Sequence, residues 1–129
     1  MTEHLDPLIL IIDDNAQNAK LARDVLRAAA FRTLEAATGA EGIALAAEHM
    51  PDVILMDIRL PDMDGTDAAR TLGVRARTAH IPVVALSALR FEGEGDWLRS
   101  VGFAGHLEKP ISVREFSDQI RGYCERGRT

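Results

Sequence analysis

Cysteine is almost missing from this chain: Cys124 is the only one among 129 residues, which excludes an internal disulfide and any Cys-based zinc site. Such usage fits a reducing cytoplasm. Long apolar runs are missing too. The longest aliphatic stretch is Leu8 to Ile12, far short of the roughly 18 residues of a membrane-spanning helix. The opening MTEHLDP is acidic and polar rather than a leader peptide. A soluble, cytoplasmic protein with no membrane insertion is therefore expected. Positive charge is also scarce: the formal net charge is −5, whereas a nucleic-acid surface carries a basic patch or stripe. Of the 15 basic residues only Lys20 and Lys109 are lysine, so a lysine here has some reason not to be arginine. Linkers, internal repeats and low-complexity stretches are absent as well.

What is present alternates. Leu8 to Ile12 is a continuous apolar run, as expected of a strand covered on both faces of a parallel sheet. From Asn15 to about Ala30, the residues Leu21, Ala22, Val25, Leu26 and Ala29 recur at helical spacing. Phe31 to Ala37 reads as a short strand. Thr38 and Glu41 stand at capping-box spacing before Ile43, Ala46, Ala47 and Met50, and Pro51 stops that helix. VILMD at 53–57 is another buried strand, followed beyond Pro61 and Gly65 by a helix near Asp67 to Ala76. IPVVALS at 81–87 is the next strand. A short helix around Asp96 to Val101 is expected to start late or fray, because Gly93 and Gly95 each cost up to about 1 kcal/mol in a helix. AGHLEKP holds the last strand, and Ser112 with Glu115 predicts a capped final helix with Val113, Phe116, Ile120 and Tyr123 on its apolar face. Five strands and five helices in strict alternation imply an α/β doubly wound parallel sheet. One domain is expected over residues 8–126, with 1–7 and 127–129 as short tails and no output domain.

Ligands of such sheets bind outside the carboxyl ends of the strands, where the strand order reverses. Asp13 and Asp14 end the first strand, Asp57 the third and Ser87 the fourth, and Lys109 follows the fifth. Three carboxylates within a few ångströms cannot all stay ionised without a cation, and Mg2+ is the usual hard ion in such surroundings. An aspartate can act as nucleophile and carry a phosphoryl group. Asp57, alone at its strand end, is the candidate for that role. A lysine ammonium and a hydroxyl would then stabilise charge on the transferring oxygens, roles that suit Lys109 and Ser87. Each residue alone has a plainer reading: an acid pair after a strand can be a helix cap with a favourable first-turn charge, Ser87 a turn hydroxyl, Lys109 a solvated charge. The joint placement of all five at strand ends favours chemistry.

The segments LIIDDN, PDVILMDIRLPDMDG, HIPVVALSA and GHLEKPIS resemble the signature segments of the response-regulator receiver domain of two-component signalling, over about residues 8 to 124. The resemblance implies a flavodoxin-like (βα)5 fold with strand order 2-1-3-4-5. It implies Asp57 as phosphoacceptor and Asp14 as a direct Mg2+ ligand together with the backbone carbonyl of Arg59, while Asp13 acts through a metal-bound water. Ser87 would be the switch hydroxyl, Lys109 would pair with phosphoryl oxygens, and the Lys109–Pro110 bond would be cis. The implied partner is a sensor histidine kinase or a histidine phosphotransfer protein. A downstream protein would dock on the face of the fourth helix, fifth strand and fifth helix. Trp97, Phe91 and Leu98 lie near that face, available either to a partner or to packing under the fourth helix. The chain would catalyse its own phosphorylation and dephosphorylation without turning over a separate substrate. DDNAQNAKL and HIPVVAL…EKPISV also resemble single-domain receivers of the DivK type.

One position departs from the family: three residues before Lys109, where Tyr or Phe is usual, stands His106. An imidazole there preserves, weakens or makes pH-dependent the coupling to the switch hydroxyl, or is simply a polar surface residue. A nucleotide or flavin binder would need a phosphate cradle where DDNAQN offers carboxylates. A phosphatase of the haloacid-dehalogenase type would need a second aspartate where Arg59 stands. The alternative that stays open is a receiver-fold binding module that works without phosphorylation.

Overall fold

The computed structural model describes residues 6–88 and 92–127, with side chains as far as Glu125. The apolar runs become strands β1 (Leu8–Ile12), β2 (Arg32–Ala36), β3 (Val53–Asp57), β4 (Val83–Ser87) and β5 (Gly105–Glu108). They form one parallel sheet in the order β2-β1-β3-β4-β5. Between them run α1 (Ala16–Ala28), α2 (Gly39–His49), α3 (Gly65–Val74) and α4 (Glu94–Ser100), and α5 (Phe116–Gly127) closes the chain.

Because successive strand residues point to opposite faces, a continuous apolar strand feeds two cores at once. Ile9 and Ile11 join Leu26, Leu55, Phe116 and Ile120 beneath α1 and α5. Leu10 and Ile12 join Ile54, Met56, Leu72 and Leu98 beneath α2, α3 and α4. Side chains of this size, fully removed from water, contribute about 1.5–3 kcal/mol each. The polar ends of the central strands are therefore held by strongly anchored backbone.

The helix starts differ from expectation where local chemistry competes. Thr38 caps α2 by accepting from the Glu41 N–H at 3.1 Å, but Glu41 reaches back to the N–H of Ala37, not that of Thr38. A second acid completes this cap from afar: the Asp62 carboxylate accepts from Gly39 N–H at 2.8 Å and Ala40 N–H at 2.9 Å. These two bonds hold its pKa below the usual aspartate value. They tie the loop after β3 to α2. The glycines at 93 and 95 do not delay α4, which begins at Glu94 with Gly93 before it in the left-handed region at φ +85°, a conformation glycine adopts without strain. The final helix begins later than expected. Residues 113–115 form a turn, α5 starts at Phe116, and Val113 is 58% exposed. Cys124, not Val113, completes the buried face with Phe116 and Ile120. On α1, Leu21 is likewise exposed while Ala19, Ala22 and Leu26 face the core. Leu98 is fully buried under α4 and Trp97 is 40% exposed; Phe91 lies outside the described residues.

Two glycines of α3 make a controlled pair. A Cβ on Gly65 would stand 2.6 Å from the carbonyl oxygen of Asp57 and 2.8 Å from Ile58 Cα, whereas one on Gly73 would meet none of the described residues within 4 Å. Gly65→Ala must push α3 away from the end of β3 and is expected to destabilise by about 1–3 kcal/mol. Gly73→Ala only removes unfolded-state freedom from a helical position and should stabilise by up to about 1 kcal/mol. Urea unfolding midpoints check both signs.

Candidate functional site

The strand order reverses at β1 and β3, and their register decides what meets there. Ile12 pairs with Met56, so the next residues, Asp13 and Asp57, emerge side by side. The Asp13 N–H still donates to Ala36 O at 3.0 Å, which holds its backbone to β2. The helix-capping job that an acid pair might do belongs instead to Asn15, whose Oδ1 accepts from the N–H groups of Gln17 and Asn18, each at 3.0 Å. Asp13 turns inward. It is 4% exposed, its Oδ1 accepts from Asn15 N–H at 2.9 Å, and its Oδ2 is buried without a hydrogen-bond partner among the described residues.

Oxygens of Asp13, Asp14 and Asp57 lie within 4.8 Å of one another. Burial pushes the Asp13 pKa up; the neighbouring Asp57 and Asp14 charges add to this, while the Asn15 N–H and Lys109 oppose it. A buried carboxylate oxygen with no donor, beside two more carboxylates, is the donor set of a hard divalent cation such as Mg2+. The residues present fit that ion.

Asp57 is the meeting point. Its Oδ1 accepts from the Arg59 N–H at 3.1 Å and its Oδ2 receives the Lys109 ammonium at 3.0 Å. That ion pair is only partly shielded, with Asp57 13% and Lys109 29% exposed at the side chain. Lys109 is brought there because its N–H donates to Ser87 O at 2.8 Å, extending the β4–β5 ladder; the Lys109–Pro110 peptide bond is cis. Asp57, Arg59, Ser87 and Lys109 line a cavity of about 190 Å³ that also touches Ile58, Leu86 and Ala88. Gly65 N–H donates to Ile58 O at 2.5 Å and the backbones of Arg59 and Asp64 form an isolated antiparallel β-bridge, which fixes the loop after β3.

Ser87 and His106 stand on the side facing α4. Ser87 is 2% exposed, and its Oγ donates at 2.6 Å to Glu94, itself 1% exposed. His106 on β5 is half-buried. Its ring lies against α4 where Gly95 leaves room: a Cβ there would come within 2.7 Å of His106 Cε1. Its Nδ1 is buried without a hydrogen-bond partner among the described residues.

The family model described as the response regulator receiver domain matches residues 9–121. The chain belongs to that family. This receiver is 38% identical over 115 residues to the polar-differentiation response regulator DivK of Brucella ovis, across 89% of this chain and 94% of that protein. It is also similar to the receiver domain of a sensor histidine kinase from Pseudomonas aeruginosa PAO1, solved with a magnesium ion coordinated in its active-site cleft. That match has 28% identity and a TM-score of 0.84, covering 93% of this chain and 98% of the other. The receiver domain of a Francisella response regulator gives 26% identity and the same TM-score of 0.84, over 94% and 98%. The receiver is therefore a DivK-like component of two-component signalling.

All five strand-end residues singled out from the sequence converge on one edge, and Arg59 lies beside them. Glu94 did not stand out in the sequence. In FEGEGD nothing separates it from Glu92 or Asp96, both exposed in the structure.

The acidic cluster makes a measurable claim on stability. The folded pKa of Asp13 lies above its ordinary 3.8, so its ionised form opposes folding at neutral pH, and that cost fades as pH falls through the raised value. In EDTA at pH 7, Asp13→Asn is expected to melt above the wild-type receiver, with the gap closing on acidification. Added Mg2+ at about 100 times its Kd should stabilise the wild type by about 2.7 kcal/mol and the variant much less. A wild-type melting temperature indifferent to Mg2+ would rule out the metal reading.

Proposed function

We propose that this receiver accepts a phosphoryl group from a phosphohistidine on a kinase or phosphotransfer protein onto Asp57. The observation that carries the proposal is the surrounding of Asp57: two further carboxylates beside it, and the Lys109 ammonium 3.0 Å from its Oδ2. An aspartate held only for structure has no use for a neighbouring carboxylate oxygen left buried without a donor.

The reaction follows from these residues. An Asp57 oxygen attacks phosphorus, the P–N bond breaks, its electron pair returns to the donor imidazole, and an acyl phosphate forms on Asp57. Attack of water on phosphorus later breaks the P–O bond, restores the carboxylate and releases inorganic phosphate. Lys109 balances charge on the phosphoryl oxygens, and the Arg59 N–H keeps the Asp57 carboxylate oriented. Asp13, Asp14 and Asp57, with the Arg59 carbonyl, would hold Mg2+, which when bound neutralises charge that builds on the transferring group. Ser87 serves as the switch hydroxyl at the edge of the cavity. Its movement biases a two-state equilibrium of the face formed by α4, β5 and α5, where a downstream protein binds.

Incubation with acetyl phosphate and Mg2+, followed by intact-mass measurement, tests this. The wild type should gain the mass of one phosphoryl group, and omission of Mg2+ or the change Asp57→Asn should abolish the adduct. Lys109→Ala should slow its formation by about 100-fold or more, the usual loss when one charge-stabilising donor is removed. An adduct that survives Asp57→Asn would sink the assignment.

A further inference from the structure

We infer that Glu94 is a positioning residue that competes with the phosphoryl group on Asp57 for the proton of Ser87, and so links the acceptor site to the first turn of α4. The inference rests on the proposed acceptor role of Asp57. A serine hydroxyl has a single hydrogen to donate. Here it is given to the Glu94 carboxylate at 2.6 Å, between residues 2% and 1% exposed. The same Ser87 lines the cavity that holds Asp57 and Lys109. Its hydroxyl therefore faces two anions in turn: the glutamate on α4 and, once formed, the phosphoryl oxygens on Asp57.

Hydrogen bonds from a hydroxyl to a buried carboxylate are short and strong, because the surroundings screen them poorly. Glu94 thus holds Ser87 toward α4 in the unphosphorylated receiver. When the proton is redirected to the phosphoryl group, Glu94 loses that bond. Glu94 is the first residue of α4, so the loss is felt by the helix itself. Next to it, Gly95 leaves the room that the His106 ring occupies. A small rotation of this turn would close or open that space, which ties β5 to the same event. The exchange needs no long-range pathway: Ser87 is hydrogen-bonded to Glu94, Gly95 follows Glu94 in the chain, and the His106 ring fills the space that a side chain at Gly95 would need.

The test is a double-mutant cycle on phosphoryl uptake from acetyl phosphate with saturating Mg2+. Glu94→Gln keeps the shape but removes the charge, and should accelerate uptake about tenfold by weakening the hold on the Ser87 hydroxyl. Glu94→Asp, which withdraws the carboxylate from reach, should act in the same direction. In a Ser87→Ala background neither change should alter the rate further, which a merely structural role of Glu94 would not explain. Equal effects with and without Ser87, or none in either, overturn the inference. Should both variants fail to fold, hydrogen exchange in otherwise native protein decides. Amides of residues 94–98 should lose protection on phosphorylation in the wild type but not in Ser87→Ala, and unchanged protection in the wild type overturns the inference. A wild type that takes up no phosphoryl group at all defeats the acceptor reading; uptake that is indifferent to Glu94 defeats only this one.

Discussion

Three carboxylates gathered within 4.8 Å repel one another, and every other feature of the receiver has to accommodate that repulsion. The strands that carry them are buried on both faces, and Ile9 through Ile12 and Val53 through Met56 are at most 1% exposed. Moving either strand end apart would pull several fully buried side chains out of register, at a cost well above that of like charges partly shared with solvent. The apolar sheet thus works as a clamp. It keeps Asp13 next to Asp57 through the Ile12–Met56 pairing and leaves an oxygen of Asp13 without a donor. Such an arrangement is stable enough to fold and unsatisfied enough to bind a cation.

The opposite side of Asp57 is built on different terms. Lys109 arrives through a backbone hydrogen bond to Ser87, and Ser87 is held in turn by Glu94. Here the polar groups are matched rather than in excess, with a cation facing Asp57 and a carboxylate facing the hydroxyl. One flank of the acceptor is therefore poised to take up positive charge, and the other is poised to exchange one hydrogen-bond partner for another. The close fit of His106 against Gly95 places α4 within reach of that exchange.

Much of this was legible in the residues themselves. The five strands and the convergence of Asp13, Asp14, Asp57, Ser87 and Lys109 follow from apolar runs that end in polar residues, while the strand order was implied by the resemblance to receiver domains. Such runs are readable because a two-sided core demands continuous hydrophobicity. The failures share a cause as well. Val113 and Leu21 fall at helical spacing yet face solvent, since periodicity does not say which apolar residue a neighbouring element will cover. The start of α5 slipped to Phe116 because a turn over 113–115 took the place of its first helical residues. Glycine propensity argued for a late α4, but the left-handed Gly93 and the space required by His106 give both glycines a use.

The sequence by itself determined the fold class and the chemical types at the strand ends, because both depend on local pattern and on the alternation of strand and helix. Only the tertiary structure decided how those groups are paired. It brought Asp62 onto the start of α2 from 22 and 23 residues away and set Glu94 against Ser87. These pairings join groups that lie far apart along the chain or on separate elements. A carboxylate in a polar stretch carries no local mark of the donor it will meet, since burial and partner arise only when the helices close over the sheet.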